Sequence, residues 1–236
     1  KIAEAGGFVS ANIHSSISGT VKMIEPRMTS GGNKVNSIVI ENDGLFETVD
    51  FSENVRDLST LYREDIKDMI KEAGIVGMGG AGFPSHVKLS PRNEDDIEYI
   101  IVNGAECEPY LTSDYRRMLE ETDKLILGLQ ICVNLFDKAK GIIAIEDNKP
   151  DAIEALTRIA DDPKMDPNDE VRVLKLHASY PQGAEKQFIR SCTGRTVGEG
   201  ELPADAGVVV INAHTAYAVW VACEKGEPCY ERVMTV

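Results

Sequence analysis

Cysteine is scarce and scattered in this 236-residue chain: the five, Cys107, Cys132, Cys192, Cys223 and Cys229, include no C-x-x-C pair. Tight pairs of that kind supply zinc and iron–sulfur ligands, so the spacing excludes a self-contained site of either type and fits free thiols in a reducing compartment. Long apolar runs are missing as well. No stretch approaches the ~20 residues that cross a bilayer, and the opening KIAEAGGF lacks the charged-then-apolar plan of a signal peptide, so membrane association is expected to be peripheral. Basic residues number 25 against 39 acidic ones, a formal net charge of −14, and form no run. That excludes nucleic acid as a partner and leaves any anionic cofactor to be held by local donors. The four histidines are not spaced as a metal site; His86 and His214 read as polar packing residues. Internal repeats and low-complexity tracts are absent.

What is present divides into two parts. Residues 1 to about 50 are rich in Ser, Gly, Asn and β-branched residues, with alternating runs at 20–24 and 37–40, and predict a small β unit punctuated by Gly19, Pro26, Gly31, Gly32 and Gly44. From Thr60 helical spacing of Leu61, Ile66, Met69 and Ile70 predicts a helix ending at Gly74. Strands are expected at 97–102, 141–145, 171–176 and 208–211. Between them fall helices: a long one capped by Ser113 and burying Met118, Leu125, Leu129, Cys132, Val133 and Phe136, then 150–160, 180–192 and 213–223. Such alternation predicts an α/β fold, a mostly parallel sheet flanked by helices.

Residues 74–88, GIVGMGGAGFPSHVK, carry the strongest local signal. Gly77, Gly79, Gly80 and Gly82 fall within six positions, and Ala81, Phe83, Pro84 and Lys88 complete the run. Glycines let backbone N–H groups approach an anion closely, and a lysine adds charge at the rim. Gly77, Gly79 and Gly82 satisfy G-x-G-x-x-G, but a helix precedes them where a dinucleotide fold needs a strand; a P-loop fails because Leu89 follows Lys88. NGAECEP, residues 103–109, follows the strand at 97–102, at the end where open α/β sheets bind ligands. Asn103 offers a donor and an acceptor, and Glu106 and Glu108 offer acceptors suited to ribose or ribityl hydroxyls.

The order GxGGAGFPxxxK, N-x-x-E-x-E-P and then Tyr-x-x-Gly-x-Glu at Tyr180, Gly183 and Glu185 resembles a flavin-binding domain. It is the one shared by the NADH-oxidising flavoprotein of respiratory complex I and the C subunit of the Rnf electron-transport complex. GAECEPYLTSDYR, YPQGAEKQ and INAHTA follow the Rnf wording more closely. AEAGGFVSANIHSSISGTVKMI resembles half of a hammerhead, the barrel-sandwich hybrid of biotinyl domains; Lys22 lies inside a strand and reads as a surface lysine. The domains expected are 1–55 (partial hammerhead), 56–230 (FMN/NADH-binding) and 231–236 (the start of a following domain).

The resemblance implies FMN held non-covalently and NADH stacking on it to give up hydride. Gly77, Gly79, Gly80, Ala81 and Gly82 would wrap the flavin, and Lys88 would meet its phosphate or ribityl chain. Phe83 would sandwich adenine, while Asn103, Glu106 and Glu108 would hold ribityl and ribose hydroxyls. Tyr180, Gly183 and Glu185 would line the opposite wall, with Asn212 and Thr215 near the phosphate. No acid or base is needed. The family's 4Fe–4S repeat is not in this sequence, so the chain is expected to be a fragment of a ferredoxin:NAD oxidoreductase component on the cytoplasmic face of a bacterial membrane, meeting ferredoxin only indirectly through other subunits. The cobalamin reductase of bacterial microcompartments, which resembles the same domain, and a non-catalytic docking module remain alternatives.

Overall fold

A computed structural model describes residues 1–29 and 31–233. Two sheets are present: a two-stranded antiparallel ribbon, and a four-stranded parallel sheet with helices on both faces. The ribbon pairs β1 (Gly19–Met28) with β2 (Lys34–Asn42). Pro26 was expected to punctuate the first strand, yet it sits inside β1 opposite Asn36. A two-stranded ribbon is all edge, so the missing N–H costs no interior ladder bond. Lys22 lies in β1 and pairs with Glu41.

The parallel sheet contains β3 (Tyr99–Gly104), β4 (Lys140–Glu146), β5 (Val171–Leu176) and β6 (Val208–Asn212) in the order β5-β4-β3-β6. Alternate residues feed two cores. Ile100, Val102, Ile143, Ile145, Val209 and Ile211 pack under α1 (Arg63–Glu72), α4 (Thr122–Val133), α5 (Pro150–Ala160) and α7 (Ala213–Lys225). Ile101, Ile142, Ala144, Val208 and Val210 face α6 (Glu185–Thr193), whose Phe188 is fully buried. Burying one such side chain stabilises the fold by roughly 1.5–3 kcal/mol, and a sheet apolar on both faces requires this double cover.

Three helix boundaries differ from expectation. The first helix begins at Arg63, after a short 3-10 turn at Leu58–Thr60, and ends as expected before Gly74 with its φ of 69°. The long helix is two: α3 (Ser113–Glu120) and α4 meet at Glu121, where Thr122 Oγ1 donates back to the Met118 carbonyl at 2.7 Å. A threonine bonding its own backbone competes with the helical ladder and bends it. Ser113 is the first helical residue and not the cap. Finally, the helix expected from Tyr180 starts at Glu185; residues 177–184 turn instead, with Gln182 N–H donating to Ser179 and Ala184 N–H to Pro181. Residues 231–233 are irregular, and the rest of the expected following segment, 234–236, lies outside the described residues. No helix among the described residues is long and apolar enough to cross a membrane.

Candidate flavin site

After β5 the chain crosses back to place β6 on the far side of β3, so the β3/β6 boundary is the switch point at which open α/β sheets leave a crevice. At its rim Asn103 and Asn212 occupy paired positions. Asn103 Oδ1 accepts from Ala105 N–H at 3.1 Å, and its Nδ2 donates to the Gly183 carbonyl at 3.0 Å. Asn212 caps α7, accepting from His214 and Thr215 N–H at 2.9 and 3.3 Å, and donates through Nδ2 to Asp114 at 2.5 Å. Asn103 therefore ties two loops together, and Asn212 ties the starts of two helices.

The glycine loop rests on α7. It is closed by an antiparallel bridge between Val76 and Pro84 and by Gly77 N–H donating to the Phe83 carbonyl at 2.8 Å. Met78 N–H donates to Thr215 Oγ1 at 2.9 Å, and a Cβ placed on Gly79 would lie 3.5 Å from Asn212 Cβ. Gly80 and Gly82 hold φ of 111° and 64°, and a Cβ on either would meet nothing within 4 Å. Residues 78–81 form a turn, and among the described residues the N–H groups of Gly79, Gly80, Ala81 and Gly82 make no hydrogen bond of ordinary geometry. A row of free donors beside open space is a cradle for an electron-rich ligand. Phe83, 40 % exposed, stands next to it.

The NGAECEP loop divides its carboxylates between two roles. Glu106, at φ 44°, accepts from the N–H groups of Asp114 and Tyr115 at 2.8 and 2.9 Å. It caps α3 in place of Ser113, satisfying two of the helix's orphan donors. Glu108 is exposed; its carbonyl accepts from Leu111 N–H at 3.3 Å, while its carboxylate makes no hydrogen bond or ion pair among the described residues and is the free acceptor of the pair. Across the crevice a Cβ on Gly183 would lie 3.4 Å from Cys107 Sγ. Lys88 Nζ donates to Glu185 Oε1 at 2.8 Å, joining α2 (Ser85–Lys88) to the first residue of α6. Tyr180 is exposed.

Asp114 escaped the sequence reading, although a carboxylate in the first turn after a glutamate-rich loop is the available signal. Burial pushes its carboxyl up to about 6; Asn212's hydrogen bond opposes this, and Glu106 and Glu108 add to it. Its neighbour His214 is pushed down to about 4 by burial and then by Arg117 and Arg232. Lys149, three residues after the end of β4, was also missed: it is buried and donates to the Ala105 carbonyl at 2.6 Å. Neither of two hollows elsewhere, one lined by Leu58, Tyr62 and Ile131 and one by Phe8, Lys71 and His86, touches these loops. Among the described residues no group of three or more His, Cys, Asp or Glu is arranged to hold a metal.

Residues 70–221, which contain every loop of this crevice, match the family described as the Nuo51 FMN-binding domain. The chain belongs to that family. Residues 1–45 match the RnfC barrel sandwich hybrid domain, so the expected fold class, with its small β unit, is borne out. The C subunit of the Na(+)-translocating ferredoxin:NAD(+) oxidoreductase complex of Acetobacterium woodii is 45 % identical over 239 residues, covering all of this chain and 52 % of that protein. Its counterpart in the proton-translocating complex of Clostridium ljungdahlii is 47 % identical over 235 residues, covering all of this chain and 50 % of its own length. The kinship with the Rnf protein thus holds, and the chain spans about half the length of these curated relatives. The H2-reduced NAD+-reducing [NiFe]-hydrogenase shares the fold: TM-score 0.57, 24 % identity, 68 % of this chain and 30 % of that one.

Proposed function

We propose that this domain binds FMN at the β3/β6 crevice and passes hydride between NADH and that flavin, as a peripheral part of a ferredoxin:NAD oxidoreductase complex at the cytoplasmic face of a bacterial membrane. The observation that carries the reading is the free N–H row of Gly79, Gly80, Ala81 and Gly82. It lies against the N-terminus of the 13-residue α7, where partial positive charge favours a phosphate. Donors without partners, open space where a Cβ would project, and a nearby aromatic ring at Phe83 fit a flavin nucleotide.

When bound, the flavin supplies the electron chemistry, so the residues here bind and orient. Thr215 and Asn212 seat the glycine loop; Lys88 offers the cation. Glu108 offers acceptors for sugar hydroxyls, and the turn from Tyr180 to Glu185 forms the facing wall. Glu106 and Asn103 act one step back, by shaping the 103–108 loop.

The test is an anaerobic titration of the purified protein with FMN, followed by NADH. Quenching of flavin fluorescence and then bleaching of its visible band are expected. Binding without bleaching would remove the NADH step, and no binding would favour a docking role for the fold.

A further inference from the structure

We propose that the buried pair Lys149–Glu146 is a positioning device for the candidate site: its ammonium clamps the Ala105–Glu106 peptide in the one orientation that keeps Glu106 on α3. Only the ligand half of the test rests on the flavin reading.

Lys149 is 8 % exposed and Glu146, at the end of β4, 3 %. Lys149 Nζ lies 2.6 Å from the Ala105 carbonyl, 3.2 Å from Asn148 Oδ1 and 3.6 Å from Glu146 Oε2. Glu146 Oε1 has no partner among the described residues. An under-satisfied buried ion pair is a poor source of stability, since apolar residues of equal volume would fill the space without the desolvation penalty. Its shortest contact points to its use. Ala105 is gripped at both polar groups, its N–H by Asn103 Oδ1 and its carbonyl by Lys149. The next residue, Glu106, sits at φ 44°, a left-handed conformation that non-glycine residues avoid. The cheapest relaxation is a flip of the Ala105–Glu106 peptide, which turns ψ of one residue and φ of the next. That flip would aim the carbonyl away from Lys149 and break a charge-assisted bond in a low-dielectric place. The flip itself leaves the flanking Cα atoms in place, but it removes the anchor that fixes this segment, and the loosened Glu106 then has the freedom to leave the Asp114 and Tyr115 N–H groups.

The deciding variant is Glu146→Gln with Lys149→Met, which removes both charges together. In the protein without ligand, amide exchange at Asp114 and Tyr115 is expected to accelerate at least tenfold while Ile143 and Val210 keep their protection. The FMN dissociation constant is expected to rise at least tenfold. Unchanged exchange at Asp114 and Tyr115, or a uniform loss that includes the core strands, overturns the clamp. If wild type takes up no FMN, the flavin reading falls and exchange still decides the clamp. In wild type itself, the Lys149 ammonium is expected to give a slowly exchanging 15Nζ signal near neutral pH whose protons show contacts to Ala105. Its absence overturns the proposal even if the double variant does not fold.

Discussion

Asn103 and Asn212 stand opposite each other at the carboxyl ends of adjacent parallel strands; Asn103 joins the loop after its strand to the turn at Gly183, and Asn212 joins the start of α7 to the first turn of α3. Replacing Asn212 by Ala removes the α7 cap and the donor to Asp114. A loss of about 1–2 kcal/mol in urea denaturation is expected. Asn103→Ala strands the Ala105 N–H and the Gly183 carbonyl, with a similar loss. Both variants are expected to bind FMN less tightly, because the glycine loop and the facing wall lose their common anchor.

Asp114 and His214 give the fold two opposed pH dependences. Asp114, raised from 3.8 to about 6, binds more protons folded than unfolded between those values, so its contribution to stability falls as pH rises from about 4 to 6. His214, lowered from 6.5 to about 4, binds fewer protons folded, so its contribution falls as pH drops from about 6.5 to 4. Each amounts to something on the order of 2–3 kcal/mol and their signs oppose. In wild type these two contributions offset each other between pH 4.5 and 6.5, which leaves a loss on acidification from His14 and His86, both shifted down by burial; the variants are compared with that profile in urea titrations. Relative to it, Asp114→Asn should lose stability on acidification over that range, and His214→Gln should gain it. Differences from wild type of the same sign in the two variants would contradict the assignment.

Lys88 and Glu185 bridge the crevice with side chains 34 % and 42 % exposed. A pair that open to water contributes little to folding. Lys88→Ala is therefore expected to leave the unfolding free energy within about 0.5 kcal/mol of wild type. Its effect should appear in FMN affinity, as a loss of about tenfold, equivalent to ~1.4 kcal/mol, that shrinks with added salt. Equal FMN affinity in the variant would remove Lys88 from the site.

The layered α/β architecture and the position of the crevice were legible because buried parallel strands are short apolar runs and the site loops follow their ends. What was not legible depended on side chains choosing among competing partners. Both Ser113 and Glu106 can cap α3, and nothing local says that a glutamate seven residues earlier reaches back to it. The break at Glu121 comes from one threonine hydroxyl bonding its own helix. Lys149 looks like any surface lysine before a helix until β4 brings it beneath Ala105. The glycine loop shows in the sequence as a run of small residues, whereas the backbone bonds of Asn103 to Ala105 and Gly183, and of Glu106 to Asp114 and Tyr115, depend on loops that the fold brings together.

Gly80 and Gly79 separate conformation from space within that loop. Gly80→Ala places a Cβ in a left-handed residue, at a cost of roughly 1 kcal/mol, and projects it into the open side of the loop. Gly79→Ala has no such backbone penalty and an ordinary contact with Asn212. A drop in FMN affinity well beyond the stability change is expected for Gly80→Ala. Gly79→Ala should change stability only slightly, as thermal melting of both variants without ligand will show.

Two carboxylates stand at the rim, the exposed Glu108 and the partly exposed Glu185 at the start of α6, and the buried Asp114 behind them is ionised above about pH 6. A 2′-phosphate entering this field would be repelled at the few ångströms where Coulomb terms are largest, while the 2′-hydroxyl of NADH can donate to the same oxygens. NADH is therefore expected to reduce the bound flavin at least tenfold faster than NADPH at equal concentration. Glu185→Gln should narrow that ratio, and Glu108→Gln should narrow it further at low ionic strength, where screening is weakest. Stopped-flow bleaching of the flavin band with each nucleotide measures it, and equal rates in wild type would show that the rim does not face the adenosine ribose.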